Sequence, residues 1–321
     1  MQRASLDLLV LGEINADMLV VGADVEPEFD QVEKLVSRAS LAVGGSSVLT
    51  ACAAARLGLR TAFAGVVGND LIGRFMLDAM AARGVDVRGV RIDPDLDTGV
   101  SVVLVDESGR QGRATLTAPG AMTALRATDV DPGLLVAARH VHCGGWFLQP
   151  GLHSGLPALF AAAREAGATC SLDPNWDPAG TWDAGIGAAL DHCDVFPPNE
   201  AELLRIGGAA DVEGALDDVA RPDLAVAVKR GAGGADWRRG DRHLRLAAPA
   251  VDVVDTTGAG DAFDAGLVHA LLAGEPPERQ LALAVACGSL STRALGGGAA
   301  PPDLAEARRL ADALTPTGAR A

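Results

Sequence analysis

Asp255-Thr256-Thr257-Gly258-Ala259-Gly260-Asp261-Ala262-Phe263 is the stretch on which the reading of this 321-residue chain turns. Gly258, Ala259 and Gly260 remove side-chain bulk just where an apolar run toward Leu272 begins. The pattern predicts a helix over 261–273. The first N–H groups of a helix lack intrahelical acceptors and carry partial positive charge, so this turn can cradle an anion. Asp261 falls in the first helical turn, beside the place where negative charge would gather. A carboxylate there is either a cap for the helix or a general base aimed at a hydroxyl.

Outward from that turn, short β-rich apolar runs alternate with Ala/Leu stretches of helical period, the pattern of βα units around a buried, largely parallel sheet. Strands are predicted at 6–11, 61–66, 140–143, 169–172, 195–196 and 224–228. Helices are predicted at 46–57, 71–83, 156–166, 261–273 and 279–294. Two stretches break the rhythm. Residues 17–43 hold a charged loop between extended runs, and 98–117 reads as strands 99–105 and 113–117 around the hairpin-type turn Asp106-Glu107-Ser108-Gly109. Four short strands inserted between βα units predict a small accessory sheet over one end of the main one. The division is then a core of 1–16, 44–97 and 118–321 and a small β lid of 17–43 and 98–117. Segment 209–222 and the tail from Thr315 read as polar or Pro-marked connections.

Apolar residues make up 49% of the chain, charged residues 21%, and acidic residues outnumber basic ones by 42 to 27, for a net charge of −15. Such a chain can bury a large core, and its charge argues against coating a nucleic acid or a membrane surface. A single phosphate stays possible, because a few backbone N–H groups can hold one without net positive charge. Cys52, Cys143, Cys170, Cys193 and Cys287 are an odd, scattered set without a C-x-x-C pair, read as buried free thiols of a reducing compartment. No signal peptide or membrane span is predicted, and the expected location is cytoplasmic. His140-x-His142-Cys143 has the look of a metal spacing, but strand alternation sends both histidines to one face and the cysteine to the other. The chain lacks a Walker-type P-loop, a Gly-x-Gly-x-x-Gly fingerprint after the first strand, and a Gly-x-Ser-x-Gly elbow.

The nine-residue string resembles, residue for residue, the C-terminal signature of the PfkB family of carbohydrate kinases, which have the ribokinase-like fold. Further segments follow in the family's order. Gly12-Glu13-Ile14-Asn15-Ala16-Asp17 resembles the first strand with its sugar-binding Asp, and Gly44-Gly45 the substrate turn. Asp173-Pro174-Asn175 is similar to the family's D-P-N, Asn199-Glu200-Ala201-Glu202 to its N-x-x-E, and residues 229–234 to its K-x-G-x-x-G. The likeness runs from about residue 6 to 310. It implies a three-layer α/β/α sandwich with a mostly parallel central sheet and a small β-sheet lid. It also implies transfer of the γ-phosphoryl of ATP to a hydroxyl of a small carbohydrate.

By that resemblance Asp261 takes the hydroxyl proton, and the N–H groups of Gly258, Ala259 and Gly260 form the anion hole. Asp17, Gly44, Gly45, Leu49, Met122, Trp146, Asp173 and Asn175 would meet the acceptor. Lys229, Gly231 and Gly234 would lie against the nucleotide, and Asn199 and Glu202 would organise Mg²⁺ through water. Asp255 and Thr257, with a later glycine loop at 296–298, would hold K⁺. A homodimer through the lid sheet is a further expectation.

The pattern also departs from the family. Leu49 stands where Asn usually contacts sugar hydroxyls, Gly120-Ala121-Met122 replaces Gly-Ala-Asn, and Asp177 takes the place of an Arg after D-P-N. Apolar walls leave hydroxyls unpaired at about 1–3 kcal/mol each, so the expected acceptor has fewer or differently placed hydroxyls than ribose or fructose. Scarce basic residues disfavour an anionic acceptor. A nucleoside kinase of the same fold is the alternative, with a non-catalytic ligand-binding relative as the second. Of the aromatics, Phe29, Phe63, Trp146 and Phe147 lie near candidate pocket segments, too few to favour a stacked base over a sugar.

Overall fold

Leu6–Leu11 forms a strand buried on both faces, as a near-continuous apolar run in the middle of a parallel sheet must be. The computed structural model describes residues 6–30, 32–108, 112–294 and 301–319. In chain order the first strands are β1 (Leu6–Leu11), β2 (Asn15–Gly22), β3 (Arg38–Gly44), β4 (Thr61–Gly68), β5 (Val85–Asp93), β6 (Gly99–Asp106) and β7 (Arg113–Ala118). They are followed by β8 (Ala138–Cys143), β9 (Thr169–Leu172), β10 (Val195–Phe196), β11 (Ala225–Lys229), β12 (Ala235–Arg239), β13 (Arg242–Leu246) and β14 (Thr317–Ala319). The helices are α1 (Ser46–Arg56), α2 (Leu71–Ala82), α3 (Pro132–Ala137), α4 (Leu156–Glu165) and α5 (Ile186–Leu190). After them come α6 (Glu200–Gly207), α7 (Val212–Val219), α8 (Ala259–Leu272), α9 (Pro277–Ser291) and α10 (Leu304–Asp312).

Ten strands form one sheet in the order β14-β13-β12-β11-β10-β9-β8-β1-β4-β5. The pairs from β11 through β5 are parallel, and β12 to β14 add antiparallel at one edge. Strand alternation gives the sheet two apolar faces. Leu8 and Val10 pack with α1, α2, α8, α9 and α10, while Leu9 and Leu11 pack with α3 to α7. The result is a three-layer α/β/α sandwich.

The remaining strands form a separate four-stranded sheet, β3-β2-β6-β7, in which only β2 and β6 run parallel. Three residues join the end of β1 to β2, and β3 runs straight through Gly44 and Gly45 into α1, which holds the small sheet at the carboxyl end of β1. Its register sets Asp17, Ser101 and Thr117 side by side on one face and Met18, Val102 and Leu116 on the other.

Several expectations need correction. Residues 212–219 of the supposed connection 209–222 form α7, capped by Asp211, whose carboxylate accepts from the Gly214 N–H at 2.9 Å. The tail adds β14 to the sheet edge. Helix α8 begins at Ala259, two residues early, because left-handed Gly258 (φ 75°) is its cap. The five cysteines are buried and free. His140 Nε2 and His142 Nδ1 share the Ser171 hydroxyl at 2.7 and 2.8 Å, and burial pushes them down to about 3 and about 4, so both are neutral imidazoles. Among the described residues no helix is long and apolar enough to cross a membrane.

Candidate active site

A cavity of about 1180 Å³ opens at the carboxyl ends of the parallel strands, between them and the small sheet. This is the crevice in which open α/β sheets bind ligands. The start of α8 forms one wall. The Ala259 N–H turns back to the Thr256 carbonyl at 3.2 Å, which closes the turn and removes that donor from the expected anion hole. Among the described residues, no protein acceptor meets the N–H groups of Gly258, Gly260 or Asp261. The open donors are therefore these three, with Asp261 in the place of the expected Ala259.

Asp261 lies half-buried on the cavity wall, and its Oδ1 accepts a 2.5 Å hydrogen bond from the Ser46 hydroxyl. Burial pushes its carboxyl up to about 7, with the Asp173 and Glu13 charges adding and the Ser46 bond and Lys229 opposing. Ser46, the first residue of α1, was not among the expected site residues, although it directly follows the Gly44-Gly45 turn. Glu13 was missed as well. Gly45 offers α1 no side-chain cap, and Glu13 supplies one from the link between β1 and β2, accepting from the Ser47 N–H at 3.0 Å and from the Ser47 hydroxyl. Burial raises the Glu13 carboxyl. Gly145 (φ 61°) makes room for it, since a Cβ there would stand 2.4 Å from Glu13 Oε2.

Lys229 does not reach out as a surface charge. Its ammonium pairs with Asp173 at 2.5 Å and Asp264 at 3.2 Å, in a nearly solvent-free pocket beneath Gly260. Burial opposes that charge, yet Asp173, Asp264 and Glu202 outweigh burial and hold the lysine well above its usual range. Burial raises the Asp264 carboxyl well above its usual range against the pull of Lys229, whereas at Asp173 Lys229 and a hydrogen bond with Asp264 outweigh burial and hold the carboxyl low. Asp264 sits three residues beyond Asp261 and was not singled out from sequence.

On the small-sheet side, Asn15 Nδ2 donates to Asp17 Oδ1 and to Ser101 Oγ, both at 3.1 Å. Burial pushes Asp17 up to about 6, against the pull of Arg113 and Asn15. Gly44 does not line the cavity. Its part is steric, because a Cβ there would lie 2.2 Å from Asp17 Oδ1. Arg113 Nη1 donates to the Thr257 hydroxyl, so the small sheet touches the glycine turn directly. Thr257 in turn donates from N–H (2.9 Å) and Oγ1 (2.7 Å) to Asp255 Oδ1. The expected third element of a K⁺ site, 296–298, lies outside the described residues.

Asn199 and Glu202 both line the cavity and clasp each other. Asn199 Nδ2 donates to Glu202 Oε1 at 2.5 Å, the Asn199 N–H to Oε2 at 2.8 Å, and the Glu202 N–H to Asn199 Oδ1 at 2.9 Å. Burial and the Asp173 charge push Glu202 up to about 7. Gly45, Leu49, Met122, Asp173, Asn175 and Gly231 also line the cavity. Gly234 does not, serving instead as the positive-φ turn (89°) between β11 and β12.

Two expected wall residues are elsewhere. Trp146 is fully buried and stacked on His153 at 4.3 Å, leaving Leu148 on the cavity wall. Asp177 is buried in its own loop, where it accepts from the N–H groups of Ala179, Thr181 and Trp182. No acid thus replaces the family's Arg within the cavity. Phe63 and Phe147 are buried and Phe29 is an exposed residue away from the wall; the aromatic that does line it is Trp176.

This arrangement, an ionisable carboxyl beside open N–H donors at a helix start, is equipment suited to a small-molecule phosphotransferase site. The model of the pfkB family carbohydrate kinases matches residues 5–304, and the chain belongs to that family. It is 35% identical over 277 residues to a fructokinase of Klebsiella pneumoniae, covering 81% of this chain and 88% of that protein. It is 33% identical over 296 residues to the ATP-dependent ribose-1-phosphate kinase of Halopiger xanaduensis, covering 92% and 94%. A solved structure of Arabidopsis thaliana ribokinase complexed with ribose and ATP superposes with a TM-score of 0.81 at 26% identity, covering 95% of this chain and 98% of that one.

Proposed function

We propose that this carbohydrate kinase moves the γ-phosphoryl of ATP to a hydroxyl of a small sugar, with Asp261 as the general base. One observation carries the reading: a carboxyl near pKa 7, fixed by Ser46, stands beside three unpaired backbone N–H groups. In the step itself the acceptor oxygen forms a bond to phosphorus as the bridging oxygen of ADP leaves. Asp261 accepts the hydroxyl proton. The Gly258, Gly260 and Asp261 N–H groups stabilise charge gathering on the transferred group, each donor of this kind being worth about 2.7–4 kcal/mol in barrier. Lys229 reinforces that positive potential from beneath Gly260 while its own partners keep it in place.

Asp17 and Asn15 would orient acceptor hydroxyls, and Leu49 and Met122 would face its less polar side. The nucleotide would lie toward Gly231. Among the described residues no three acidic, His or Cys groups cluster as metal ligands. Mg²⁺ characteristically keeps several waters and leans on substrate phosphates, and the Glu202 carboxylate, clasped by Asn199, fits a water-mediated contact of that kind. Such an ion supplies charge neutralisation on the phosphates. Asp255 and Thr257 offer oxygens for K⁺ beside the turn, and replacing K⁺ by a large inert cation should then slow turnover.

The small sheet would act as a lid, with the Arg113–Thr257 contact coupling its closure to the anion hole and limiting ATP hydrolysis by water. Its outer face carries Met18, Leu41, Val102 and Leu116, and Leu116 is 66% exposed. That apolar face supports a homodimer through the lid. Leu116→Asp should give a monomer by light scattering, and an unchanged mass would refute the interface. Buried free thiols support a cytoplasmic location. A coupled ADP-release assay across pentoses, hexoses, deoxy sugars, keto acids and nucleosides tests the function. Turnover of no hydroxylated acceptor would leave only the ligand-binding reading.

A further inference from the structure

We propose that Trp176 is the platform of a subsite for a flat, apolar group carried by the acceptor away from its reacting hydroxyl, as in a heterocyclic or aryl glycoside. The inference rests on the kinase reading for what the acceptor is, but not for whether it binds.

Trp176 is 51% exposed and lines the cavity, an unusual place for the largest apolar side chain unless something covers it. The ring is braced from behind. The Arg205 guanidinium lies 5.2 Å from its centroid, and Trp182 meets it edge-on at 4.9 Å and 87°. Trp182 is itself buried and packs edge-on against Phe147 at 5.4 Å. A cation over one ring face and a rooted aromatic at its edge hold the indole in one orientation.

The loop is built to present it. Asn175, Trp182 and Ala184 have φ of 55°, 56° and 44°, left-handed values that strain side-chain-bearing residues and persist only where surroundings over-determine them. Here Asp177 accepts three loop N–H groups, and Asn175 Oδ1 accepts the Trp176 N–H at 2.6 Å.

The platform belongs to the acceptor wall. The Trp146 and Phe147 N–H groups donate to the carbonyls of Asp173 and Pro174, both at 3.2 Å, and Gln149 Nε2 donates to the Met122 carbonyl at 2.8 Å. Met122, Leu148 and Trp176 thus sit on segments hydrogen-bonded to one another, and all three line the cavity. The nucleotide-side Gly231 follows β11, two strands away from β9 and so about 10 Å across the sheet. A flat group stacked on Trp176 gains contact without needing hydroxyl partners, which Leu49 and Met122 do not provide.

The test is intrinsic fluorescence, since Trp146, Trp182 and Trp237 are buried and Trp176 alone among the tryptophans is exposed. Full-length protein and its Asp261→Asn variant are titrated with inosine, uridine, nitrophenyl riboside, ribose, fructose and ADP. Flat-substituted acceptors should quench saturably, bind at least tenfold more tightly than the plain sugars, and lose the quench in Trp176→Phe. Trp176→Ala should raise the acceptor KM about 5- to 150-fold with the KM for ATP unchanged, and Trp176→Phe, which keeps a smaller ring, should raise it less. Equal binding of plain sugars overturns the proposal, as does an acceptor KM unmoved in a folded Trp176→Ala. Quenching by ADP alone would assign the platform to the nucleotide base instead. If flat acceptors bind but the wild-type chain does not turn them over, the kinase step fails and the subsite stands.

Discussion

Ser46→Ala offers the sharpest perturbation of the proposed base, because it removes one bond and leaves the glycine turn intact. The Ser46 hydroxyl donates to Asp261 Oδ1 at 2.5 Å and holds that carboxyl down against burial. Hydrogen bonds to charged groups contribute about 1.5–3 kcal/mol, and one pKa unit corresponds to about 1.36 kcal/mol. Losing the bond should therefore raise the Asp261 carboxyl by about 1–2 units, from about 7 to about 8–9. The ionised fraction at pH 7 would drop from about one half to about 1–10%, so kcat/KM for the acceptor should fall about 5- to 50-fold there. It should recover toward the wild-type value near pH 9.5. The assay is kcat/KM against pH at saturating ATP, with ADP release as the readout. A loss of equal size at every pH, with the acidic limb unmoved, would refute the link between this pKa and proton removal.

Other consequences follow from the same buried charges. Lys229→Met leaves the ionised Asp173 without its ammonium, and breaking a buried pair in this way costs about 3–5 kcal/mol; an unchanged urea midpoint would contradict the ion cluster. Asp261→Asn should stabilise the fold most above neutral pH. A carboxyl raised to about 7 binds its proton more tightly folded than unfolded, so its stabilising contribution is full below about pH 4 and is lost as pH rises through about 7. The gain in melting temperature for this variant should accordingly be larger at pH 8 than at pH 4, and the reverse order would show that the group is not raised.

The turn from Asp255 to Phe263 was legible because its features are local: small residues, a helix start and an acid lie within nine positions. Strand β1 was legible for the same reason, as an apolar run of the right length. The partners of the turn were not. Ser46 reaches Asp261 across 215 positions and Lys229 reaches Asp173 across 56, contacts made only by packing α1, α8 and β11 together. Asp177 illustrates the opposite error. Its position pointed to the cavity, yet a short carboxylate beside three free loop N–H groups is better satisfied locally. Trp146 left the wall because the 3-10 turn after Gly145 carries its indole inward, and Trp176, which was not singled out from sequence, lines the cavity. Helix α7 was hidden by its brevity, although Val212, Ala215, Leu216 and Val219 do follow a helical period.

Single-turnover phosphoryl transfer by Asp261→Asn, with ATP and acceptor affinities measured on the same protein, tests the role of Asp261 most directly. The amide keeps the shape and the Ser46 contact but cannot accept the hydroxyl proton. Both ligands should bind within a few-fold of wild type while the transfer rate falls by about 10²–10⁴. Transfer retained within tenfold at unchanged affinity would contradict the account, because proton removal would then not depend on this carboxylate.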